Sequence, residues 1–146
     1  MKKIRLFFGL LLILHFISCN KDNLEDIIVG TWNATSLKTT NCRSEYNNKY
    51  YIFTNGCVKN IGELGSYMCI TMTFTENGTY TLETKTFVNT KKSTGNYKIT
   101  DGKVSICGIF STGDCEEDTL VFTKSQMTIT GTNSDTSCRT ELKLKK

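Results

Sequence analysis

The chain predicts an all-β protein, an antiparallel up-and-down β-barrel of about eight strands, and three features of its 146 residues lead there. Proline is absent, no apolar repeat of helical period follows the first two dozen residues, and Thr, Ile, Phe and Tyr dominate the runs, as pleated strands prefer. Apolar and polar residues alternate with period two in short segments divided by Asn-Gly, Asp-Gly and Lys-Ser turns, which makes successive hairpins. Crossover helices are missing, and a meander with one apolar face hides its edges best by closing on itself. An immunoglobulin-like sandwich could use the same strands, but its core tryptophan lies between the bridging cysteines, whereas Trp32 precedes every cysteine from Cys42 onward.

Residues 1–18 read as a leader. Lys2, Lys3 and Arg5 form a cationic head, and the apolar run from Leu6 to Ile17 falls short of the ~20 residues needed to span a bilayer, so it is a secretory signal. Ser18 followed by Cys19 resembles the lipobox of bacterial lipoproteins. That resemblance implies cleavage before Cys19 and lipidation of its thiol with palmitate-type acyl chains, two or three of which hold stably at about 0.8 kcal/mol per buried methylene. Residues 19–27 then form a lipidated tether whose polar "NKDNLED" resembles the surface-export signals of Bacteroidetes-type lipoproteins. Residues 28–146 form one domain with one core.

The first strand falls within "IIVGTWNATSLK", and a second around Tyr50 to Phe53. "MCITMTFT" is the plainest strand: Met68, Ile70, Met72 and Phe74 alternate with Cys69 and three threonines. Asn77-Gly78 turns the chain, and Tyr80 and Leu82 return on the inner face. Tyr97 and Ile99 precede an Asp101-Gly102 turn, with Val104 and Ile106 beyond it. Leu120 and Phe122, a turn at Lys124-Ser125, and Met127, Ile129 and Gly131 make a third hairpin. The closing strand sets Thr140, Leu142 and Leu144 against Arg139, Glu141 and Lys143, for eight or nine strands in all.

"IVGTWNATSL" resembles the G-x-W opening strand of lipocalins, and "MTFTENGTYTLE" with "STGNYKITDGKVSI" is similar to turn patterns of bacterial, Bacteroidetes-type lipocalin-like lipoproteins. The resemblance covers Ile28 to Leu144. It implies that Trp32 is structural, packed across a closed barrel end, with Gly30 giving it backbone room. The long C-terminal helix of lipocalins is missing, because "ELKLKK" carries strand alternation, so lipocalin-like is the apt term.

Cys19 aside, six cysteines remain, an even number that reads as three disulfides in an exported chain. A metal site would want pairs closer than Cys107 and Cys115. If the first and last strands of a closed barrel lie antiparallel, Cys42 meets Cys138; Cys57–Cys69 and Cys107–Cys115 complete the set.

Of the 18 Lys and Arg, three lie in the leader, and the remaining 15 nearly balance 14 acidic residues. No basic run exceeds two residues, so no nucleic-acid partner is expected. His15, in the leader, is the only histidine, which removes the commonest general base and any Ser-His or Cys-His nucleophile. Glu116-Glu117-Asp118 reads as a solvated turn rather than a calcium site. The residues point to no catalytic activity, no cofactor and no metal.

Function is left to the interior and the loops. An eight-stranded barrel either fills itself or holds one small ligand. Met68, Met72, Phe74, Tyr80, Tyr97, Phe122 and Met127 are the candidate walls for a small hydrophobic ligand, with Ala34, Ser36, Thr84, Gly108, Gly131 and Thr140 as small inner positions. The expected protein is an envelope lipoprotein held by its lipid anchor, at the outer membrane on its periplasmic face or the cell surface. The alternative is a protein-binding lipoprotein, of an inhibitor or immunity type, acting through Asn47 to Tyr67.

Overall fold

The computed structural model describes residues 24–43, 48–59, 65–101, 103–106, 109, 118–132 and 137–146. One helical turn, α1 (Leu24–Ile28), leads into β1 (Gly30–Thr40), β2 (Lys49–Ile52), β3 (Cys57–Lys59), β4 (Tyr67–Phe74) and β5 (Thr79–Thr86). Then come β6 (Thr90–Thr100), β7 (Lys103–Ile106), β8 (Asp118–Phe122), β9 (Gln126–Thr132) and β10 (Arg139–Lys145).

From β4 to β10 each strand pairs antiparallel with the next. β1 closes the ring: one edge runs along β10 from Asn33↔Lys145 to Thr40↔Arg139, and the other begins on β4, from Gly30↔Phe74 to Asn33↔Thr71. Eight strands thus make an almost closed up-and-down barrel, the architecture expected from the alternating hairpins. The last described element is the strand β10, to Lys145.

Beyond Asn33 and Thr71 the edges of β1 and β4 part, and β1 continues against β2 from Ser36↔Ile52 to Thr39↔Lys49 while β4 pairs with β3. The turn between β2 and β3 is wedged into the fork. Phe53 N donates to Thr35 O at 2.9 Å, Ile70 N donates to Gly56 O at 2.8 Å, and Phe53 is buried. The stretch from Asn47 to Tyr67 therefore contains the strand expected around Tyr50 to Phe53, as β2, and a second short strand, β3, that was not expected; Asn47 and residues 60–64 of it lie outside the described residues.

The register of β1 slips between Ala34 and Ser36. A bulge adds one residue to one strand and reverses the facing of everything after it. Ala34 lies opposite buried Leu144, but Ser36 lies opposite exposed Lys143, and Leu37 opposite buried Leu142. Ser36 is thus on the outer face and Leu37 takes the inner position, which corrects the expectation that Ser36 points inward.

The connections are distributed unevenly. At one end the strands are joined by 75–78, 101–102 and 123–125; at the other by 41–48, 60–66, 87–89, 107–117 and 133–138. Gly78 has a φ of 78° and Asp101 one of 52°, so the short turns use left-handed residues where the Asn-Gly and Asp-Gly pairs foretell them, though Asn77 itself does not. The short-turn end is the floor of the barrel, and the other is its mouth.

Candidate functional site: the barrel interior and its mouth

The floor is assembled around Trp32, which is fully buried. Its partner rows are Trp32↔Met72 across the β1–β4 seam and Phe74↔Tyr80 in the adjoining hairpin. The Phe74 ring meets Tyr97 edge-on at 5.2 Å between centroids and lies 6.2 Å from Tyr80, the offset geometries aromatic quadrupoles favour. Tyr80 lies across Gly95, its partner in β6, so closely that a Cβ there would sit 2.6 Å from the phenol oxygen. Glycine in mid-strand costs packing of its own, and here the ring of the neighbouring strand supplies it.

The α1 turn covers this floor. Ile28 is fully buried, and its carbonyl accepts a hydrogen bond from Trp32 Nε1 at 2.8 Å, which satisfies the indole inside the core. Lys146 Nζ donates to Ile27 O at 2.9 Å and stands 5.4 Å from the Trp32 ring centroid, within cation–π range. Gly30 has a φ of 126°, a backbone state L side chains rarely adopt, and a Cβ on it would lie 2.9 Å from Lys146 Cε. The room that Gly30 leaves is thus taken by Lys146, which in turn covers Trp32. Residues 24–27, read from sequence as the end of a polar tether, are helical, with Leu24 and Ile27 partly buried.

Tyr97 closes the opposite side. Its hydroxyl donates to Thr75 O at 2.7 Å, and its pKa is raised from 10.0, first by burial and then by the carboxylates of Glu25 and Glu76.

Of the seven residues expected to wall a ligand, Met72, Phe74, Tyr80, Tyr97 and Met127 are buried in this packed layer; Phe122 is partly buried opposite Met127. Only Met68 stands toward the mouth. The aromatic members are brought together, but as a floor packed on itself.

The inner face near the mouth is made of smaller side chains. Strand register puts Leu37 and Thr39 of β1, Met68 of β4, Thr84 and Thr86 of β5, and Ser93 of β6 on that face, all partly buried. Gly131 and Thr140, paired with each other, complete the β9–β10 side. Gly108 lies outside the described residues. Sequence reading missed Leu37 and Thr39; the available signal was the switch of apolar parity from Trp32 and Ala34 to Leu37, which marks a bulge.

Two disulfides frame the mouth. Cys42 and Cys138, with Cα atoms 4.2 Å apart, join the end of β1 to the start of β10, and Cys57–Cys69 joins directly opposed residues of β3 and β4 at 4.0 Å. Asn41 and Ser137, immediately before the first pair, both have positive φ, 58° and 55°. Two of the three expected pairings are present, while Cys107 and Cys115 lie outside the described residues, as do Cys19, Glu116 and Glu117; the side chain of Asp118 lies outside them too.

Hollows also occur on the outer wall. One of about 310 Å³ is lined by Ser36, Lys38, Tyr50, Glu141 and Lys143, and one of about 330 Å³ by the outer side of β1 with Asn55, Gly56 and the end of β10. Both are open to solvent and follow from the bulge and the β2–β3 wedge. Among the described residues no three His, Cys, Asp or Glu side chains converge as metal ligands, and no helix is long and apolar enough to cross a membrane.

Floor, wall and mouth together define an eight-stranded antiparallel meander barrel with disulfides at its rim, a class compatible with holding a ligand. Compared with known proteins, the chain matches no family model, no curated protein and no solved structure.

Proposed function

We propose that the chain is a lipocalin-like envelope lipoprotein, anchored through Cys19, that holds a small hydrophobic ligand in the mouth half of its barrel and catalyses nothing. What supports the reading is the change along the inner face, from fully buried Trp32, Met72 and Phe74 at the floor, through buried Ile70 and Leu142, to partly buried Leu37, Thr39, Met68, Thr84 and Thr86 toward the mouth. A barrel that only packs itself needs large side chains throughout; a cup needs them at one end. The seven candidate side chains then act mainly as the floor under the ligand, with Met68 in its wall. The lipid anchor, and the outer-membrane location proposed with it, rest on the leader, Ser18-Cys19 and the tether sequence and not on the barrel.

Native mass spectrometry of the detergent-extracted protein tests this. A co-purifying small molecule, lost in a Thr84→Trp variant whose unfolding midpoint is unchanged, is the expected result. A protein that extracts empty and binds no apolar fluorescent probe saturably would rule out the ligand.

A second reading has its own observation. Tyr50 and Ile52, 62% and 65% exposed, stand on the same outer face of β2. Aromatic and aliphatic side chains so displayed suit contact with another protein. Recovery of a stoichiometric protein by wild type, and its loss with Tyr50→Ser plus Ile52→Ser, would favour this alternative over the ligand.

A further inference from the structure

Building on the reading of Cys19 as the anchor, we infer that the floor of the barrel faces the membrane that holds the protein and that the mouth opens away from it. Whatever the mouth binds then exchanges with the aqueous space, or with a partner across that space, and not with the anchoring bilayer.

The chain enters the barrel at its floor. α1 is tied there by three independent contacts: burial of Ile28, the Trp32 Nε1 bond to Ile28 O, and the Lys146 Nζ bond to Ile27 O. Between Cys19 and Leu24 the chain takes five steps, and at no more than about 3.6 Å each these reach ~18 Å. β6, eleven residues long and running from the mouth to the floor, makes ten steps and carries the rim about 25 Å from the floor at ~3.3 Å per step and a strand tilt near 40°. The described turn at 87–89 adds to that height. With α1 docked, the tether is therefore too short to bring the rim down onto the bilayer that holds Cys19.

Undocking α1 would expose Ile28, strip the Trp32 indole of its acceptor inside the core, and release Lys146. An unsatisfied buried donor is costly, so the docked geometry is the one the anchor acts on. The consequence extends to Phe87 and Val88, 74% and 84% exposed at the tip of the β5–β6 turn beside the mouth. Such a tip would otherwise read as one that dips into lipid; the tether geometry assigns it to the side away from its own membrane.

Trp32 is the only tryptophan of the chain and reports on the floor. Full-length protein reconstituted in phosphatidylcholine vesicles carrying a headgroup-dansylated lipid would transfer energy from Trp32. A Val88→Trp variant adds a reporter at the rim, and its added emission is expected to transfer several-fold less than that of Trp32. A 20-residue Gly-Ser insertion between Asn23 and Leu24 should lower transfer from Trp32. The intact mass, read on the same sample, separates the two premises: a chain without acyl groups on Cys19 removes the anchor and the orientation with it. An acylated Val88→Trp chain whose added rim emission transfers as well as that of Trp32, or better, overturns the orientation alone.

Discussion

At the floor, Trp32, Phe74, Tyr80, Met127 and Leu144 are almost completely buried; at the mouth, the inner positions include Thr39, Thr84, Thr86 and Gly131 beside Leu37 and Met68, and the strands are joined there by Cys42–Cys138 and Cys57–Cys69. A fully buried large apolar side chain contributes roughly 1.5–3 kcal/mol, so a floor that contains several can hold itself. Small half-exposed residues contribute little, and the rim would fray. Covalent links placed at the rim make up the difference without filling the interior. The contrast teaches that this barrel is stabilised by packing where it is closed and by sulfur where it is open.

The most severe way to break that contrast is to remove the rim staple. Closing a loop with a sequence separation of 96 contributes about 4–5 kcal/mol in the chain-entropy model, so Cys42→Ser with Cys138→Ser is expected to lose about that much in denaturant unfolding. Hydrogen exchange should locate the damage at Leu37–Thr40 and Arg139–Leu142, with the amides of Thr71–Phe74 still protected. Equal loss of protection at both ends would mean that floor and mouth are one cooperative unit.

Trp32→Ala attacks the other half. The cavity and the orphaned Ile28 carbonyl should cost about 3–5 kcal/mol, and the exchange pattern should invert, with the floor opening while the disulfides hold the rim. Thr84→Ala, on the mouth face, should change unfolding by well under 1 kcal/mol; a larger loss there would show that the mouth is packed after all.

Gly95→Ala sharpens the account of the floor. The added methyl meets the Tyr80 ring at 2.6–2.7 Å, and displacing that ring is expected to cost about 1–3 kcal/mol by overpacking. Gly95→Ala with Tyr80→Leu should recover part of the loss, because the clash is with the ring and not with backbone. Absence of coupling between the two changes would place the cost elsewhere.

Tyr97→Phe should have a small effect at neutral pH, about 1 kcal/mol, from leaving the Thr75 carbonyl without its donor. Its larger signature is at high pH. The native phenol holds its proton more tightly than the unfolded one, whose value is 10.0; this stabilisation is complete below pH 10 and is lost as pH rises through the native value, since the unfolded chain deprotonates first. The Phe variant should therefore show a shallower alkaline loss of stability than wild type. An identical alkaline limb in both would remove Tyr97 from the pH response.

Much of this was legible in the residues. The inner faces of β4 to β7, β9 and β10 follow from period-two alternation, because one side of each strand meets water and the other does not. Cys42–Cys138 follows from closure, since the first and last strands of a closed meander are neighbours. The facing of β1 after Ala34 was not legible from alternation alone, because Thr35 sits in a bulge that serves the fork between β4 and β2, a demand made by strands distant in sequence. Nor was α1: five residues rich in acids carry no helical period, and the turn is stabilised by Trp32 and Lys146 rather than by its own propensity.

The candidate site divides the same way. Which side chains are apolar and inward was readable, but not that most of them lie at the closed end; that depends on which end of each strand is which, a matter of topology. Composition and alternation are local properties, so the chain alone determined an all-β meander with a cystine-bearing rim. Depth along the barrel, the β1 bulge, the β2–β3 wedge and the docking of α1 are long-range pairings, and only the tertiary structure decided them, because each balances contacts between segments that the chain sets tens of residues apart.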